Sequence, residues 1–132
     1  MLISDILDTH AWIWWTTDSP NLPEKAAEAI KNASQIGIPA ICCWEIAMLE
    51  AKKRIGLSMD VQVWIDLALQ KDRVQIVPLS PEIAVLSSRL PGEFHGDPSD
   101  RLIVATSLTL KAPLVTKDSK ISSCGFVRTI WD

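Results

Sequence analysis

The sequence predicts an α/β domain with a central, mainly parallel sheet of about five strands. Short apolar segments, typical of buried strands, alternate along the chain with longer segments of helical periodicity. This alternation is the pattern of strands joined by crossover helices, which cover both faces of a parallel sheet. The chain shows no internal repeat, low-complexity tract or linker, so we expect residues 1–132 to form a single domain.

Proline marks the starts of most predicted helices. Pro23, Pro39, Pro81 and Pro98 each stand where a helix is expected to begin, because the N–H that proline lacks has no partner in the first turn. Gly56 can end the helix that begins at Pro39. In chain order, the predicted elements are a strand at 3–7, an apolar helical turn at 11–15, a helix at 23–32, a strand at 36–38, helices at 39–55 and 60–70, a strand at 74–77, a helix from 80–81, a loop at 92–96, a helix at 97–111 and strands at 114–116 and 126–130.

The composition excludes several classes of protein. No apolar stretch approaches the ~20 residues that a membrane-spanning helix needs. The N-terminus lacks the basic region of a signal peptide. The three cysteines, Cys42, Cys43 and Cys124, have neither the spacing of a metal site nor that of a disulfide framework. We therefore expect a cytoplasmic protein with no membrane partner and with reduced thiols.

Four acidic residues stand inside or beside the most apolar stretches of the chain. Asp8 and Asp118 follow predicted strands, Glu45 lies in the middle of an apolar helix, and Asp100 lies in the first turn of another helix. Carboxylates beside a core are costly unless they are paired or bound to a cation. Because ligands of parallel sheets collect at the carboxyl ends of the strands, the four residues predict one shared site for a divalent metal ion.

Net charge leaves a nucleic-acid partner open. The formal charge is −3, and without the four carboxylates the chain would be nearly neutral. A metal ion bound by those carboxylates would attract phosphate groups locally.

Each of these acidic residues also has a purely structural explanation. Asp8 is a good N-cap for the next helix, and Asp118 suits a turn. Asp97 followed by proline reads as N-cap and first-turn proline, and the positive end of that helix favours Asp100. Glu45 is the hardest to explain structurally, because it lies on an apolar helical face, away from the charged residues that follow it.

Four motifs of the chain resemble those of a known family in order and spacing. They are Leu7-Asp8-Thr9-His10, Trp44-Glu45-Ile46, the segment from Asp97 to Thr106, and Leu114-Val115-Thr116-Lys117-Asp118. Together they resemble the motifs of PIN-domain nucleases and, more narrowly, of the VapC-type toxins of bacterial toxin–antitoxin pairs. The likeness covers nearly the whole chain. It implies a three-layer α/β/α PIN-like fold.

The resemblance also implies a function and a set of site residues. The function is that of a metal-dependent endoribonuclease that hydrolyses RNA phosphodiester bonds, forms a homodimer and is inhibited by a cognate protein antitoxin. The implied catalytic residues are Asp8, Glu45, Asp100 and Asp118. Of these, Asp8, Asp100 and Asp118 are expected to contact Mg²⁺ or Mn²⁺, which prefer oxygen ligands. Asp97 is a candidate fifth contributor, and Thr116 is a candidate for orienting an acidic ligand.

Two other functions stay open at this point. Another Mg²⁺-dependent phosphoryl-transfer enzyme on an α/β sheet is one, although an aspartyl phosphatase would carry a second aspartate where His10 stands. A catalytically silent interaction module with the PIN-like fold is the other. Four costly carboxylates argue against the silent module, because such a protein has no use for them.

Several residues near the predicted site have open roles. His10 is expected to pack or to contact the substrate at the rim, since a zinc site would need more ligands than His10 and His95. Arg101 and Lys117 flank acidic residues and are either phosphate-binding groups or ordinary surface charges. Three of the six tryptophans lie at 12–15, where core packing, an interface or base stacking would explain them.

Overall fold

A central sheet and the helices between its strands make up the fold in the computed structural model, which describes residues 2–92, 94 and 96–132. Its strands and helices alternate as the sequence predicts. In chain order they are β1 (Asp5–Leu7), α1 (Thr9–Thr16), α2 (Glu24–Asn32), β2 (Ile36–Pro39), α3 (Ala40–Ala51), α4 (Val61–Leu69), β3 (Val74–Val77), α5 (Pro81–Ser87), α6 (Pro98–Leu110), β4 (Leu114–Val115), α7 (Ser119–Ser123) and β5 (Thr129–Ile130).

The sheet has five strands in the order β3-β2-β1-β4-β5, and every neighbouring pair is parallel. The chain moves in one direction from β1 to β3 and then crosses to the other side of β1. Because crossover connections are right-handed, this reversal places helices on both faces of the sheet. The predicted α/β class, the strand number and the three-layer architecture are therefore confirmed. The reversal also creates a crevice outside the carboxyl ends of β1 and β4.

The innermost strands are buried on both faces. All three residues of β1 and all four of β2 are buried, which explains why these strands lack an alternating polar pattern. Helices complete this core: Trp12 of α1 meets Trp64 of α4 in an edge-to-face contact, with ring centroids 5.5 Å apart. Both tryptophans are buried, so core packing accounts for them.

Side-chain caps hold the helix starts where the sequence places them. Asp60 accepts hydrogen bonds from the backbone of the first turn of α4, and Ser80 caps α5 through the N–H of Ile83. Such caps satisfy N–H groups that have no partner inside the helix. The helix starts are thus settled by interactions within a few residues.

The largest differences from the predicted elements concern α3, α7 and β5. Helix α3 ends at Ala51 rather than near residue 55, because Lys53 already adopts a left-handed backbone with φ of 56°. Strand β5 pairs only through Thr129 and Ile130, since β4 offers it just two residues. The short helix α7, capped by Asp118, was not predicted. Within the predicted loop at 92–96, Glu93 and His95 lie outside the described residues.

Across the described part of the chain, no helix has the length and apolar character needed to cross a membrane.

Candidate active site

An acidic pocket opens at the carboxyl end of the sheet, in the crevice beside β1 and β4. Its volume is about 480 Å³. The four carboxylates singled out in the sequence all line it, together with Asp97. Among the described residues, the lining consists of Asp8, Thr9, His10, Glu45, Asp97, Asp100, Ile103, Lys117, Asp118, Ser119 and Lys120.

Asp8 is the most deeply buried of these carboxylates, with 7% of its surface exposed. It ends β1 and caps α1, and its Oδ1 accepts a hydrogen bond from the N–H of Ala11 at 2.9 Å. Its Oδ2 accepts a hydrogen bond from the hydroxyl of Thr116. Burial raises the pKa of Asp8 to about 6 against the opposing effect of these hydrogen bonds. The capping role considered from the sequence therefore coexists with a place in the pocket.

Thr116 connects the two aspartates that follow β1 and β4. Its hydroxyl donates to the carboxylate of Asp8 and accepts a hydrogen bond from the N–H of Asp118 at 3.0 Å. The residue is buried at the end of β4. The sequence-based expectation that Thr116 orients an acidic side chain agrees with this geometry.

Glu45 reaches the pocket from the first half of α3. Its Oε1 accepts a hydrogen bond from the hydroxyl of Thr9 at 2.6 Å. Burial raises the pKa of this half-buried carboxyl, and Asp97 and Asp8 raise it further. Thr9 is therefore a residue of the site that was not predicted from the sequence. The available signal was a hydroxyl residue directly after Asp8, whose partner Glu45 lies 36 positions away.

Asp97 and Asp100 divide two roles at the start of α6. Asp97 is the N-cap, and its Oδ1 accepts hydrogen bonds from the N–H of Asp100 at 2.9 Å and from Ser99 at 2.8 Å. The backbone hydrogen bond from Asp100 holds the pKa of Asp97 below its usual value. The pKa of Asp100 shifts in the opposite direction, although a backbone hydrogen bond with Asp97 acts to lower it. Burial, followed by the negative charges of Asp97 and Asp118, raises the pKa of Asp100 to about 6.

Asp118 lies on the opposite wall as the N-cap of α7. Its Oδ1 accepts hydrogen bonds from the N–H groups of Lys120 at 2.8 Å and Ile121 at 3.3 Å. The turn role considered from the sequence is therefore present, again within the pocket wall. Since the second oxygen makes no bond to these N–H groups, it remains available to a ligand.

Two lysines contribute to the lining of the pocket. They are Lys117 and Lys120, and the Nζ of Lys117 lies 4.9 Å from the centroid of the Trp14 ring. Arg101 lies elsewhere: it donates from Nε to the carbonyl of Ser87 and from Nη1 to the carbonyl of Phe94. The phosphate-binding alternative for Arg101 is therefore wrong, because its guanidinium ties α6 to α5 and to the following loop.

The donor set of the pocket fits a hard divalent cation. All its acidic ligands are carboxylates, which suit Mg²⁺ or Mn²⁺, and no cysteine lines it. The mutual repulsion that raises the pKa of Asp100 would be relieved by a bound cation. Within the described residues, no three His, Cys, Asp or Glu side chains form a compact metal-binding group. An open arrangement agrees with Mg²⁺, which keeps several waters and few protein ligands.

The doubly wound parallel sheet with carboxylates at its switch point defines the class of protein. The family model of the PIN domain matches residues 6–127, and the chain belongs to the PIN-domain family. It is 36% identical over 128 residues to Ribonuclease VapC22 of Mycobacterium tuberculosis. That match covers 96% of this chain and 97% of the relative.

Solved structures share the fold at lower sequence identity. DNA-bound VapBC from Salmonella typhimurium has a TM-score of 0.71 at 17% identity and covers 98% of this chain and 97% of its own. VapC20 of Mycobacterium tuberculosis, a Sarcin-Ricin loop cleaving toxin, has a TM-score of 0.70 at 15% identity, with 94% and 97% covered. VapBC2 from Rickettsia felis, bound to a promoter DNA fragment, has a TM-score of 0.68 at 20% identity, with 97% and 98% covered. These likenesses establish the fold.

Proposed function

We propose that this chain is a Mg²⁺- or Mn²⁺-dependent endoribonuclease, the toxin of a toxin–antitoxin pair that a cognate antitoxin inhibits. The observation that carries the proposal is the convergence of Asp8, Glu45, Asp100 and Asp118 on one pocket at the topological switch point. The 36% identity to a protein named Ribonuclease VapC22 supports RNA as the substrate class. A silent interaction module would gain nothing from this costly set of carboxylates.

We assign the metal ion to Asp8, Asp100 and Asp118. When bound, Mg²⁺ or Mn²⁺ would neutralise charge on the phosphoryl group and lower the pKa of a water molecule. Thr116 orients Asp8 by donating a hydrogen bond to it. By accepting a hydrogen bond from the N–H of Asp118, Thr116 also holds Asp118 in position. Water attacks the RNA phosphodiester in line, and the P–O bond to the 3′ oxygen breaks. The products are a 5′-phosphate and a 3′-hydroxyl.

Glu45 is assigned a second role in the same reaction. The hydrogen bond that Thr9 donates to Oε1 orients this carboxylate, and we assign Glu45 the role of accepting a proton or a hydrogen bond from the attacking water. The raised pKa of Glu45 lies closer to neutral pH than the pKa of a surface glutamate does. A pKa in that direction suits a general base. The catalytic set is therefore Asp8, Glu45, Asp100 and Asp118.

The protein antitoxin is proposed to bind the exposed apolar side of α4. Val63 and Leu67 of α4 expose 48% and 52% of their surfaces there, and Met59, just before the helix, exposes 41%. Solved VapBC complexes share the fold of this chain, which supports a partner of this kind. The homodimer and the cytoplasmic location stay predictions from the sequence.

The deciding experiment is a cleavage assay on purified protein. A mixed pool of RNAs is incubated with Mg²⁺, Mn²⁺ or EDTA, beside Asp8→Asn and Asp100→Asn variants. We expect cleavage that needs the metal and is lost in both variants, with new ends that carry a 5′-phosphate. Asp72→Asn is the matched control, because Asp72 is exposed and does not line the pocket. Cleavage that persists in EDTA, or in a folded Asp8→Asn protein, would refute the mechanism.

A further inference from the structure

The lysines that line the acidic pocket lie where the proposed function requires RNA to bind. Lys117 lines the pocket together with the carboxylates that we assign to catalysis. RNA is a polyanion, so those carboxylates repel every phosphate that is not in contact with the metal ion. Phosphates next to the cleaved bond therefore need separate cationic partners, as phosphate contacts dominate nucleic-acid affinity.

Hydrogen bonds of the two neighbouring residues fix the position of the Lys117 backbone relative to the carboxylates. Thr116, the residue before it, donates to Asp8, and Asp118, the residue after it, donates its N–H back to Thr116. Lys117 is exposed between these two fixed neighbours. The backbone of Lys117 is therefore held beside the catalytic carboxylates, unlike that of a lysine in a flexible loop.

An aromatic group fixes the direction of the Lys117 side chain. Its Nζ lies 4.9 Å from the ring centroid of Trp14, within the range of a cation–π contact. Trp14 is itself held by Trp131, with ring centroids 5.9 Å apart. On the other side Trp14 meets His10, one helical turn earlier on α1, at 5.5 Å. Less of the entropy of a long side chain is therefore lost when Lys117 binds a phosphate.

The His10 ring completes the arrangement with a flat surface at the pocket wall. His10 lines the pocket and is only half-buried, while its ring is tilted by 59° against the Trp14 indole. Proteins that bind single-stranded RNA combine planar rings with nearby cations. A base stacks on the ring, and the phosphates of the RNA backbone lie near the positive charge.

A second lysine–tryptophan contact shows that the contact alone does not make a site. The Nζ of Lys71 lies 4.3 Å from the ring centroid of Trp15, next to Trp14 on the same helix. Lys71 lines a different cavity, with Leu57, Trp64 and Leu67 among its walls and without any of the catalytic carboxylates. The position of Lys117 in the acidic pocket is what distinguishes it.

We propose that His10, Trp14 and Lys117 form a nucleotide subsite of the ribonuclease, in which Lys117 binds an RNA phosphate next to the cleaved bond and His10 stacks on a base. The subsite rests on the proposed ribonuclease function. It holds the nucleotide that flanks the cleaved bond and so contributes to the choice of cleavage site. Trp14 is a positioning residue that acts through Lys117.

The charge of Lys117 is tested by cleavage and by binding. Lys117→Gln should raise KM for cleavage about tenfold while changing kcat much less, because a flanking phosphate contact contributes to binding rather than to bond breaking. Binding of a labelled single-stranded RNA of mixed sequence is measured in an Asp100→Asn background at several KCl concentrations. The slope of log K against log salt should fall by about 0.7, the value of one phosphate contact to a single strand. Lys117→Arg should restore both values.

The stacking role of His10 is tested with one substitution that removes the flat ring and one that keeps it. His10→Ala should weaken RNA binding about tenfold, whereas His10→Phe, which keeps a flat ring, should bind like the original protein. Lys71→Gln is the matched control for Lys117→Gln, because it removes the same kind of lysine–tryptophan contact outside the pocket. It should leave KM, kcat and the salt slope within about twofold of their original values.

The outcomes separate the subsite from the ribonuclease function. RNA cleavage with unchanged KM and salt slope in folded Lys117→Gln would overturn the subsite and leave the ribonuclease intact. An equal loss in Lys71→Gln would show a general loss of surface charge and would also overturn it. Unchanged binding in His10→Ala would remove the stacking role. A protein that neither cleaves nor binds RNA would overturn the subsite and the proposed function together.

Discussion

Single hydroxyl groups order the acidic pocket at the residue scale. Thr116 and Thr9 each donate to a carboxylate of the candidate catalytic set, Thr116 to Asp8 and Thr9 to Glu45. Both threonines are buried, so water does not replace their bonds easily. Each leaves one acid with a defined direction toward the pocket. The hydroxyl groups are therefore as important to the site geometry as the acids that they hold.

Replacing Thr116 by valine tests this ordering role. Thr116→Val keeps the shape of the side chain but removes the donor to Asp8 and the acceptor for the N–H of Asp118. We expect cleavage to fall by roughly 10–100-fold, as for other partners that orient metal ligands. Thr116→Ser, which keeps the hydroxyl, should retain most activity. Equal activity of Thr116→Val and the original protein, measured with the same RNA, would contradict the role.

The raised pKa of Asp100 predicts a pH-dependent stability. In the metal-free folded protein this carboxyl has a pKa of about 6 against a usual value of 3.8, so the folded state binds its proton more tightly than the unfolded state. Stability should therefore fall as the pH rises through this interval and stay lower above it. Asp100→Asn should stabilise the metal-free protein at pH 7.5 by about 1 kcal/mol, because water screens part of the effect at a half-buried group.

Thermal melting in EDTA at several pH values measures this effect of Asp100. The advantage of Asp100→Asn should disappear below about pH 4, where the carboxyl is protonated in both states. A variant that is less stable than the original protein at pH 7.5 would show that Asp100 supports the metal-free fold instead of opposing it.

At the scale of elements, the N-termini of three helices place aspartates in the acidic pocket. Asp8, Asp97 and Asp118 are the N-caps of α1, α6 and α7, and the N-termini of these helices face the carboxyl edge of the sheet. The caps satisfy the first N–H groups of each helix, and the positive end of each helix favours a carboxylate. Structural and functional explanations of these aspartates are therefore not alternatives, since the same side chains line the pocket.

The inner strand β2 depends on the absence of a side chain at Gly37. A Cβ atom there would lie 2.9 Å from Ile3 and from the buried Ile6, so the core side chains would have to move. Gly37→Ala should lower the free energy of unfolding by about 1–3 kcal/mol, measured by urea denaturation. Gly56→Ala is the matched control, because its Cβ meets no atom within 4 Å. Two variants of equal stability would contradict this close packing.

The whole molecule separates the acidic pocket from an exposed apolar surface. The pocket lies at the carboxyl edge of the sheet, whereas the exposed apolar residues are Val63 and Leu67 of α4 and Met59 just before that helix. Exposed apolar patches of this kind are typical of protein interfaces. Substrate binding and partner binding are therefore expected to respond to different substitutions.

Leu67→Glu tests the partner surface in the whole molecule. Placing a charge on this exposed apolar residue should weaken binding of the cognate antitoxin at least about tenfold, because the charge would have to be buried in the complex. Binding is measured by calorimetry and RNA cleavage in the same preparation, and cleavage by the free protein should be unchanged. Leu79→Glu, at an equally exposed leucine between β3 and α5, is the control. Unchanged binding in Leu67→Glu would place the antitoxin elsewhere, and an equal loss in Leu79→Glu would show an unspecific effect of the added charge.

The sequence by itself determined the fold class, most helix starts and the identity of the acidic residues. Strand and helix periodicity, caps and first-turn prolines act within a few residues, so Pro81 and Asp97 mark α5 and α6 without knowledge of the rest of the fold. A carboxylate with apolar neighbours, such as Glu45, can also be recognised from the local sequence. The end of α3 and the two-residue length of β5 escaped prediction, because backbone conformation and strand pairing set them.

Only the tertiary structure decided which side chains meet. The hydrogen bond from Thr116 to Asp8 joins residues 108 positions apart, and it exists because β4 pairs with β1 rather than with β3. The same packing brings Thr9 to Glu45, directs Arg101 away from the pocket and lays Lys117 against Trp14. Local sequence signals carry no information on such contacts, because strand order and helix packing follow from how the whole chain buries its apolar surface.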